Sequence, residues 1–300
     1  MSRPHPLVLI GLAAWCVGVA RPDAARAQVG GAPSAGPVRV ISYNIRFDAR
    51  DDDPAWSVRG PHLTAQIQFL DPDVLGLQEA LPHQVVEVAA ALPDHDHYGV
   101  GRDDGAGAGE TTTVFWRRDR FEAVDTQTLW CSPTPDRPSR GWDAALPRTV
   151  TRVILRERAS GELLEVRNTH FDHVGAEARR RCAEMIAVLP PAMLDGRTAR
   201  RVVMGDFNAG PDSEPYRALI DAGLRDARAV SPVVFGPTGT YNAFDAARGQ
   251  DAAAIDHVFV GTGLGVARFA VLTDSIGGNV ISDHFPVVAD LILDREPNRR

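Results

Sequence analysis

The sequence predicts an α/β (α+β) protein built from two packed mixed β-sheets flanked by helices. Apolar runs of strand length alternate with amphipathic stretches of helical length. Several strand runs are joined by short turns, which excludes an all-parallel sheet. The apolar runs also stop at acid, amide or imidazole residues, as expected where unpaired polar groups are kept out of a sheet and gather at its rim.

The chain has 300 residues, a length suited to one large domain preceded by a leader. Arg3 and His5 precede an apolar stretch from Leu7 to Ala20, and Ala25-Arg26-Ala27 has the small-x-small form of a signal-peptidase site. The apolar stretch is too short to cross a bilayer. Residues 1–27 are therefore expected to be a signal peptide, with export to the periplasm or beyond; the alternative is an uncleaved amphipathic start. Cys16 follows Trp15, where a lipoprotein signal needs a small residue. Residues 28–37 form a Gly/Pro/Ala/Ser linker, 38–295 the folded domain and 296–300 a polar tail.

Within the domain, the first strand run is Val38–Tyr43, ending at Asn44. Ser57–Leu70 follows as a helix with Ser57 as cap and Leu63, Ile67 and Leu70 on one face. Val74–Leu77 is a strand ending at Gln78-Glu79, and Pro82–Leu92 a helix opened by proline. Tyr98–Gly101, Thr111–Trp116 and Phe121–Trp130 read as β, and Pro133–Pro147 as an irregular excursion. Thr149–Leu155 and Leu163–Asn168 form a hairpin across Ser160-Gly161, the second strand leading to His170-Phe171-Asp172. Gly175–Leu189 is a helix stopped by Pro190-Pro191. Val202–Met204 leads to Gly205-Asp206-Phe207-Asn208, and Glu214–Ala222 is helical. Ile255–Val260, Ala267–Leu272 and Phe285–Leu293 are β, while Ile276–Ile281 is a glycine-broken run before Ser282-Asp283-His284.

Composition excludes several chemistries. The net charge is −7, and removing the leader makes the chain more acidic still, a poor match for counterion-release binding to long nucleic acids. No lysine occurs anywhere, so a Walker lysine, a Schiff base and a Ser-Lys dyad are ruled out. There is no Gly-x-Ser-x-Gly elbow and no cysteine beside a plausible base. Cys131 and Cys182 either pair or stay as free, semi-buried thiols, the commoner arrangement without a framework pattern.

A rim rich in carboxylates, amides and histidines suits a hard divalent cation beside a phosphoester. In Gly205-Asp206-Phe207-Asn208 the glycine permits close backbone approach to a ligand, and alternation aims Asp206 and Asn208 one way and Phe207 into the core. An ordinary Asp/Asn turn would read alike. Asp283-His284 gains weight from Asp256-His257, which offers a carboxylate to orient the His284 imidazole.

Together these segments resemble the endonuclease/exonuclease/phosphatase superfamily, the deoxyribonuclease-I-like fold, from Val38 to about Leu293 and with five motifs in the expected order. The resemblance implies a four-layer α/β-sandwich with its site at one rim, a phosphoester substrate, and Mg²⁺ or Mn²⁺ as cofactor. Glu79, supported by Asn44, would bind the metal, and Asp283 could help hold a second position. Asp206 would position or deprotonate the attacking water, and Asn208 would bond the phosphate. His284, oriented by Asp256, would stabilise charge on the phosphoryl oxygens. His170 matches the second histidine, an acid or phosphate contact near the leaving group.

Where some members carry an acid two residues after Asn44, this chain has Arg46, which favours a single principal metal and could grip a phosphate. Arg102-Asp103-Asp104-Gly105 and Gly141–Arg148 resemble loops of a bacterial subgroup. Trp142 and Arg148 could contact substrate, although a buried tryptophan anchoring the loop fits as well, and His173 could line the same rim or be solvated. His95-Asp96-His97 reads as a polar strand start, Asp51-Asp52-Asp53 as a solvated turn and Arg179-Arg180-Arg181 as surface charge. The expected protein is a monomeric secreted phosphoester hydrolase of phosphodiesterase or phosphatase type, favouring small or lipid-like phosphoesters or short nucleotide ends. A secreted nuclease acting on DNA or RNA is the runner-up. A non-catalytic binding module would predict a damaged rim, which this chain does not have.

Overall fold

The computed structural model describes residues 36–293, apart from 246, 249 and 251. The expected leader, most of the linker and the polar tail lie outside them. The elements in order are β1 (Val38–Asn44), α1 (Trp56–Leu70), β2 (Val74–Gln78), α2 (Pro82–Ala91), β3 (His95–Tyr98), β4 (Val114–Arg117) and β5 (Phe121–Trp130). Next come β6 (Thr149–Glu157), β7 (Leu163–His170), α3 (Ala176–Val188), β8 (Met193–Leu194), β9 (Arg197–Thr198), β10 (Arg200–Asp206) and α4 (Glu214–Asp221). The last are β11 (Arg225–Asp226), α5 (Ala227–Val230), β12 (Val234–Phe235), β13 (Asp256–Val260), β14 (Leu264–Val271), β15 (Ser275–Ile276), β16 (Asn279–Val280) and β17 (Val287–Leu293).

Two mixed sheets carry the fold. One has the order β12-β14-β17-β1-β2-β4-β3 and the other β11-β13-β10-β7-β6-β5. Strand alternation sends each central strand's side chains to two cores. From β1, Val40 packs between the sheets, with Val166, Val202, Met204 and Val258 of the opposite sheet. Its neighbours Ile41 and Tyr43 pack against Leu63 and Ile67 of α1 and Val88 of α2. On the far side, Val203 and Phe259 meet Cys182 and Ile186 of α3 and Leu219 of α4. The result is the expected layering of helices, sheet, sheet and helices.

Between the sheets the core is not wholly apolar. Gln78 Nε2 donates to Asn168 Oδ1 (2.7 Å), and Asn168 Nδ2 donates to the carbonyls of Leu77 (2.7 Å) and Thr113 (3.2 Å). Asn168 therefore does not sit at the rim; it ties β7 to the facing sheet. Gly76 makes room for it, since a Cβ there would collide with Asn168 and Met204.

Several local expectations are corrected. Helix α1 starts one residue early, with Ala55 as an uncapped N-cap, because Trp56 is buried as an anchor while Ser57 faces solvent. Strand β3 occupies His95–Tyr98, with His95 bonded to the Pro72 carbonyl and His97 stacked on Phe115. The Ile276–Ile281 run is no sheet strand but a small hairpin, β15–β16, turning at Gly277-Gly278. Asp52 is not simply solvated: it pairs with Arg46 through two 3.0 Å bonds. Cys131 and Cys182 are joined as a disulfide between the end of β5 and α3, rather than left as free thiols. The arginine run is surface charge as expected, with Arg180 and Arg181 paired to Glu177 and Glu184.

Candidate active site

Strand register alone assembles half of the site. In the second sheet Asp206 on β10 lies beside His170 on parallel β7 and opposite Asp256 on antiparallel β13. In the first sheet Asn44 on β1 sits beside Gln78 on β2, so Glu79 emerges at the same rim. Glu79 has a left-handed φ of 61°, a conformation that a non-glycine residue holds only against a steric cost. Asp283 and His284 arrive from the loop before β17, and His284 bridges to Tyr241.

These side chains converge on Asp206. Its Oδ2 accepts from Asn44 Nδ2 (3.0 Å), and its Oδ1 accepts from the Asn208 backbone N–H (2.8 Å). His170 Nε2 and His284 Nε2 lie 3.4 and 3.7 Å from that same Oδ2. Asn44 Nδ2 also reaches Glu79 Oε1 at 3.1 Å. Behind His284, Nδ1 donates to Asp256 Oδ2 at 2.8 Å. Glu79, His170, Asp206, Asn208, Asp283 and His284 all line one cleft of about 610 Å³.

The electrostatics are uneven. Burial, then the charge of Asp256, raises the Asp206 carboxyl above the usual carboxylate range. Burial opposes a charged His284, but Asp256 and Asp206 outweigh it and push the imidazole up to about 10. His170 moves the other way, held well below the ordinary histidine value by burial and by Arg148. Asp283 is raised by burial, and the Glu79 charge adds to it.

Arginines also line the cleft. Arg148 is buried and lines the cleft with His173, and Arg102 pairs with Glu110 at 2.6 Å. Arg46 also lines the cleft, though Asp52 holds its guanidinium. Trp142 does not join them: it is 38% exposed and is not among the cleft residues, so it is neither the buried anchor nor a wall of this site. Sequence reasoning passed over Glu110 and Tyr241, which line the cleft. Gly205 is needed for a reason other than ligand approach. Its φ is 145° and a Cβ would collide with the Thr169 carbonyl of neighbouring β7.

Asp172, which the sequence places at the end of the β7 run without a role, accepts backbone N–H bonds from Ala145, Leu146, Val174 and Gly175 and lies 3.4 Å from Arg148 Nε. Burial resists its charge, yet these donors bring its carboxyl down to about 2. The pKa is depressed on folding, so the stability this group contributes is present above the ordinary value near 4 and is lost as pH falls towards 2. Asp172→Ala is expected to cost roughly 3 kcal/mol, read as a lower midpoint in urea unfolding at pH 7. The deficit should shrink at pH 3.

The donors suit a hard cation. Asp206, Asp256 and His284 offer ligand atoms within 4.8 Å of one another, but most are already engaged, Asp206 by Asn44 and the Asn208 backbone and His284 Nδ1 by Asp256. Glu79 and Asp283 also present carboxylates to the open cleft, and a cation between them would offset the burial cost, and the lesser repulsion from Glu79, that raise Asp283.

Comparison with known proteins agrees with this architecture. The model of the "Endonuclease/Exonuclease/phosphatase family" matches residues 41–284. An endonuclease/exonuclease/phosphatase family protein from Bacteroides thetaiotaomicron is 33% identical in structure-based comparison, covering 89% of this chain and 99% of its own, with a TM-score of 0.81. A mannosyl-6-phosphatase from the same organism is 35% identical over 85% of this chain and 99% of its own, with a TM-score of 0.79. The human Nocturnin catalytic domain, whose structure has a bound sulfate anion, shares the fold at 20% identity, a TM-score of 0.63, and coverage of 85% of this chain and 93% of its own. No curated protein matches the sequence.

Proposed function

Because the chain belongs to the endonuclease/exonuclease/phosphatase family, whose members are phosphoester hydrolases, we propose that it hydrolyses small phosphoesters with Mg²⁺ or Mn²⁺, phosphomonoesters of sugar type foremost. One observation carries the reading: a single buried carboxylate, Asp206, is held between Asn44 and two histidines in a cleft that also presents Glu79 and Asp283. The cleft volume of about 610 Å³ fits a small molecule. The acidic, lysine-free chain disfavours long polyanions. The 35% identical mannosyl-6-phosphatase supports a sugar phosphate.

In this reading Asp206 orients the water and takes its proton, and its raised affinity for a proton suits that role. His284, kept cationic by Asp256, faces the phosphoryl oxygens. Asn208 gives one amide N–H to the Phe171 carbonyl and keeps the other for phosphate. Glu79 with Asn44, and Asp283 beside them, would hold the metal, which supplies Lewis-acid stabilisation of phosphoryl charge. Arg46, Arg102, Arg148 and His173 would contact the rest of the substrate.

The test is a panel: a hexose 6-phosphate, an aryl phosphate, a bis-aryl phosphodiester, plasmid DNA and RNA. Phosphate release from the monoesters is expected, lost in chelator and restored by Mg²⁺ or Mn²⁺. Hydrolysis undiminished by metal stripping would remove the metal assignment. Cleavage of DNA or RNA alone would replace this reading with the nuclease.

Export after Ala27 belongs to the same proposal. The Cys131–Cys182 disulfide supports it, since such bonds persist in oxidising compartments. Among the described residues, no helix is long and apolar enough to cross a membrane. N-terminal sequencing of the periplasmic or secreted protein should begin at Gln28; a cytosolic product starting at Met1 would end the idea.

A further inference from the structure

We propose that Arg148 is a positioning residue that fixes His170, with His173 beside it, as hydrogen-bond acceptors at Nδ1, so that His170 meets the substrate as an Nε2–H donor and not as an acid. The inference rests on the hydrolase reading for its purpose, but its geometry stands on its own.

A guanidinium is always protonated and has no lone pair to offer. Any ring nitrogen within hydrogen-bond distance of it must therefore accept. Arg148 Nη1 lies 3.0 Å from His170 Nδ1, and Nη2 lies 2.9 Å from His173 Nδ1. The arginine is 4% exposed and is aligned from behind by Asp172 (Nε to Oδ2, 3.4 Å), itself fixed by four backbone N–H groups. The line Asp172, Arg148, His170 is thus anchored at its rear by main chain. It leaves the His170 ring one place for its proton, Nε2, which faces Asp206 Oδ2.

His284 gives the contrast. It faces the same oxygen of Asp206 from the loop before β17, but its rear partner is the carboxylate of Asp256. A carboxylate behind an imidazole calls for a proton on Nδ1; a guanidinium forbids one. The two rings are alike in position and opposite in what stands behind them. Around His170 the charged and titratable groups are Arg148, Arg102, His173, His284, Asp206 and Glu110, which shares the cleft lining. Of these the carboxylates Asp206 and Glu110 would favour a second proton on the ring, and Glu110 is held by Arg102 at 2.6 Å. The site therefore holds one ring that carries a proton at Nδ1 and one that accepts there. His170 then takes the phosphate-contact role of the two that the sequence left open.

The test uses the mature protein labelled with ¹⁵N-histidine, chelated and with Mg²⁺. The His170 signals are assigned by their loss in His170→Gln. In the wild type they should show the Nε2–H neutral pattern from pH 8 to pH 5.5. In Arg148→Met, His170 should become an imidazolium over that range, near the ordinary value of about 6.5, and Arg148→Lys should restore part of the acceptor pattern. Hydrolysis by Arg148→Met should fall at least tenfold further at pH 6 than at pH 8, whereas lost packing would lower both equally. An Nδ1–H or imidazolium signal from wild-type His170 at pH 7 overturns the proposal, as does an unchanged tautomer and titration in Arg148→Met. If that variant does not fold, the wild-type spectrum still decides. A wild-type protein with the fixed tautomer but no activity on any phosphoester would count against the hydrolase reading and leave the clamp in place.

Discussion

Replacing Asp206 with asparagine is expected to lower kcat by about 10³-fold or more, within the range for removing a positioned general base. Asp206 is 1% exposed, with Asn44 and the Asn208 backbone as donors to its two oxygens. An asparagine of the same shape presents one oxygen and one NH₂ group, so one of those donors must face another donor. The water also loses its proton acceptor. Folding should survive, because a neutral amide removes the burial cost of the carboxylate and its repulsion with Asp256, the two effects that raise the Asp206 carboxyl. The measurement is kcat on the best panel substrate at saturating Mg²⁺, beside a thermal midpoint. A near-normal kcat with an unchanged midpoint would strip Asp206 of the role.

The second large effect belongs to His284. His284→Ala should cost 10²- to 10³-fold in kcat, the scale for one donor aimed at developing charge. Asp256→Asn should produce a smaller loss, and adding it to His284→Ala should change little more, since it acts through the ring. Independent, multiplying losses would refute that dependence. The alanine variant leaves the Asp256 carboxylate buried, and its Oδ1 has no hydrogen-bond partner in the intact site, so some loss of stability is expected. His284→Gln fills more of the space and separates folding from chemistry. The pH sign follows from the raised folded value. The ion pair's contribution is fully present below the unfolded histidine value of about 6.5 and is lost as pH rises towards about 10.

Much of this site is legible in the sequence because it is built at strand ends. Asn44, Glu79, His170, Asp206 and Asp256 each follow or open an apolar run, and parallel or antiparallel register does the rest. The central strands and the helices were legible for the same reason, as continuous apolar or amphipathic runs. What escaped depends on contacts between distant loops. Nothing local distinguishes Asp172 from a turn residue, because its donors at 145–146 come from another excursion of the chain. Glu110 sits in a glycine-rich loop with no periodicity, and its meaning depends on Arg102. Trp142 could be read either way because exposure in an irregular loop has no sequence signal. Ile276–Ile281 misled because paired glycines after a β-branched residue suit a tight hairpin as well as a broken strand. Asn168 was not legible as a core residue, because a polar side chain at the end of a strand run reads as a rim group, and the place for it inside is opened by a glycine in the facing strand.

That amide seam between the sheets has a consequence for turnover. The proposed cation ligands Asn44 and Glu79 belong to one slab of the molecule, and the proton acceptor Asp206 with His170 and Asp256 to the other. A sideways slip of about 1 Å between slabs can cost on the order of a hundredfold in rate while every functional group survives intact. Gln78 and Asn168, far too deep to touch a substrate, act as the dowel that keeps the two jaws in line.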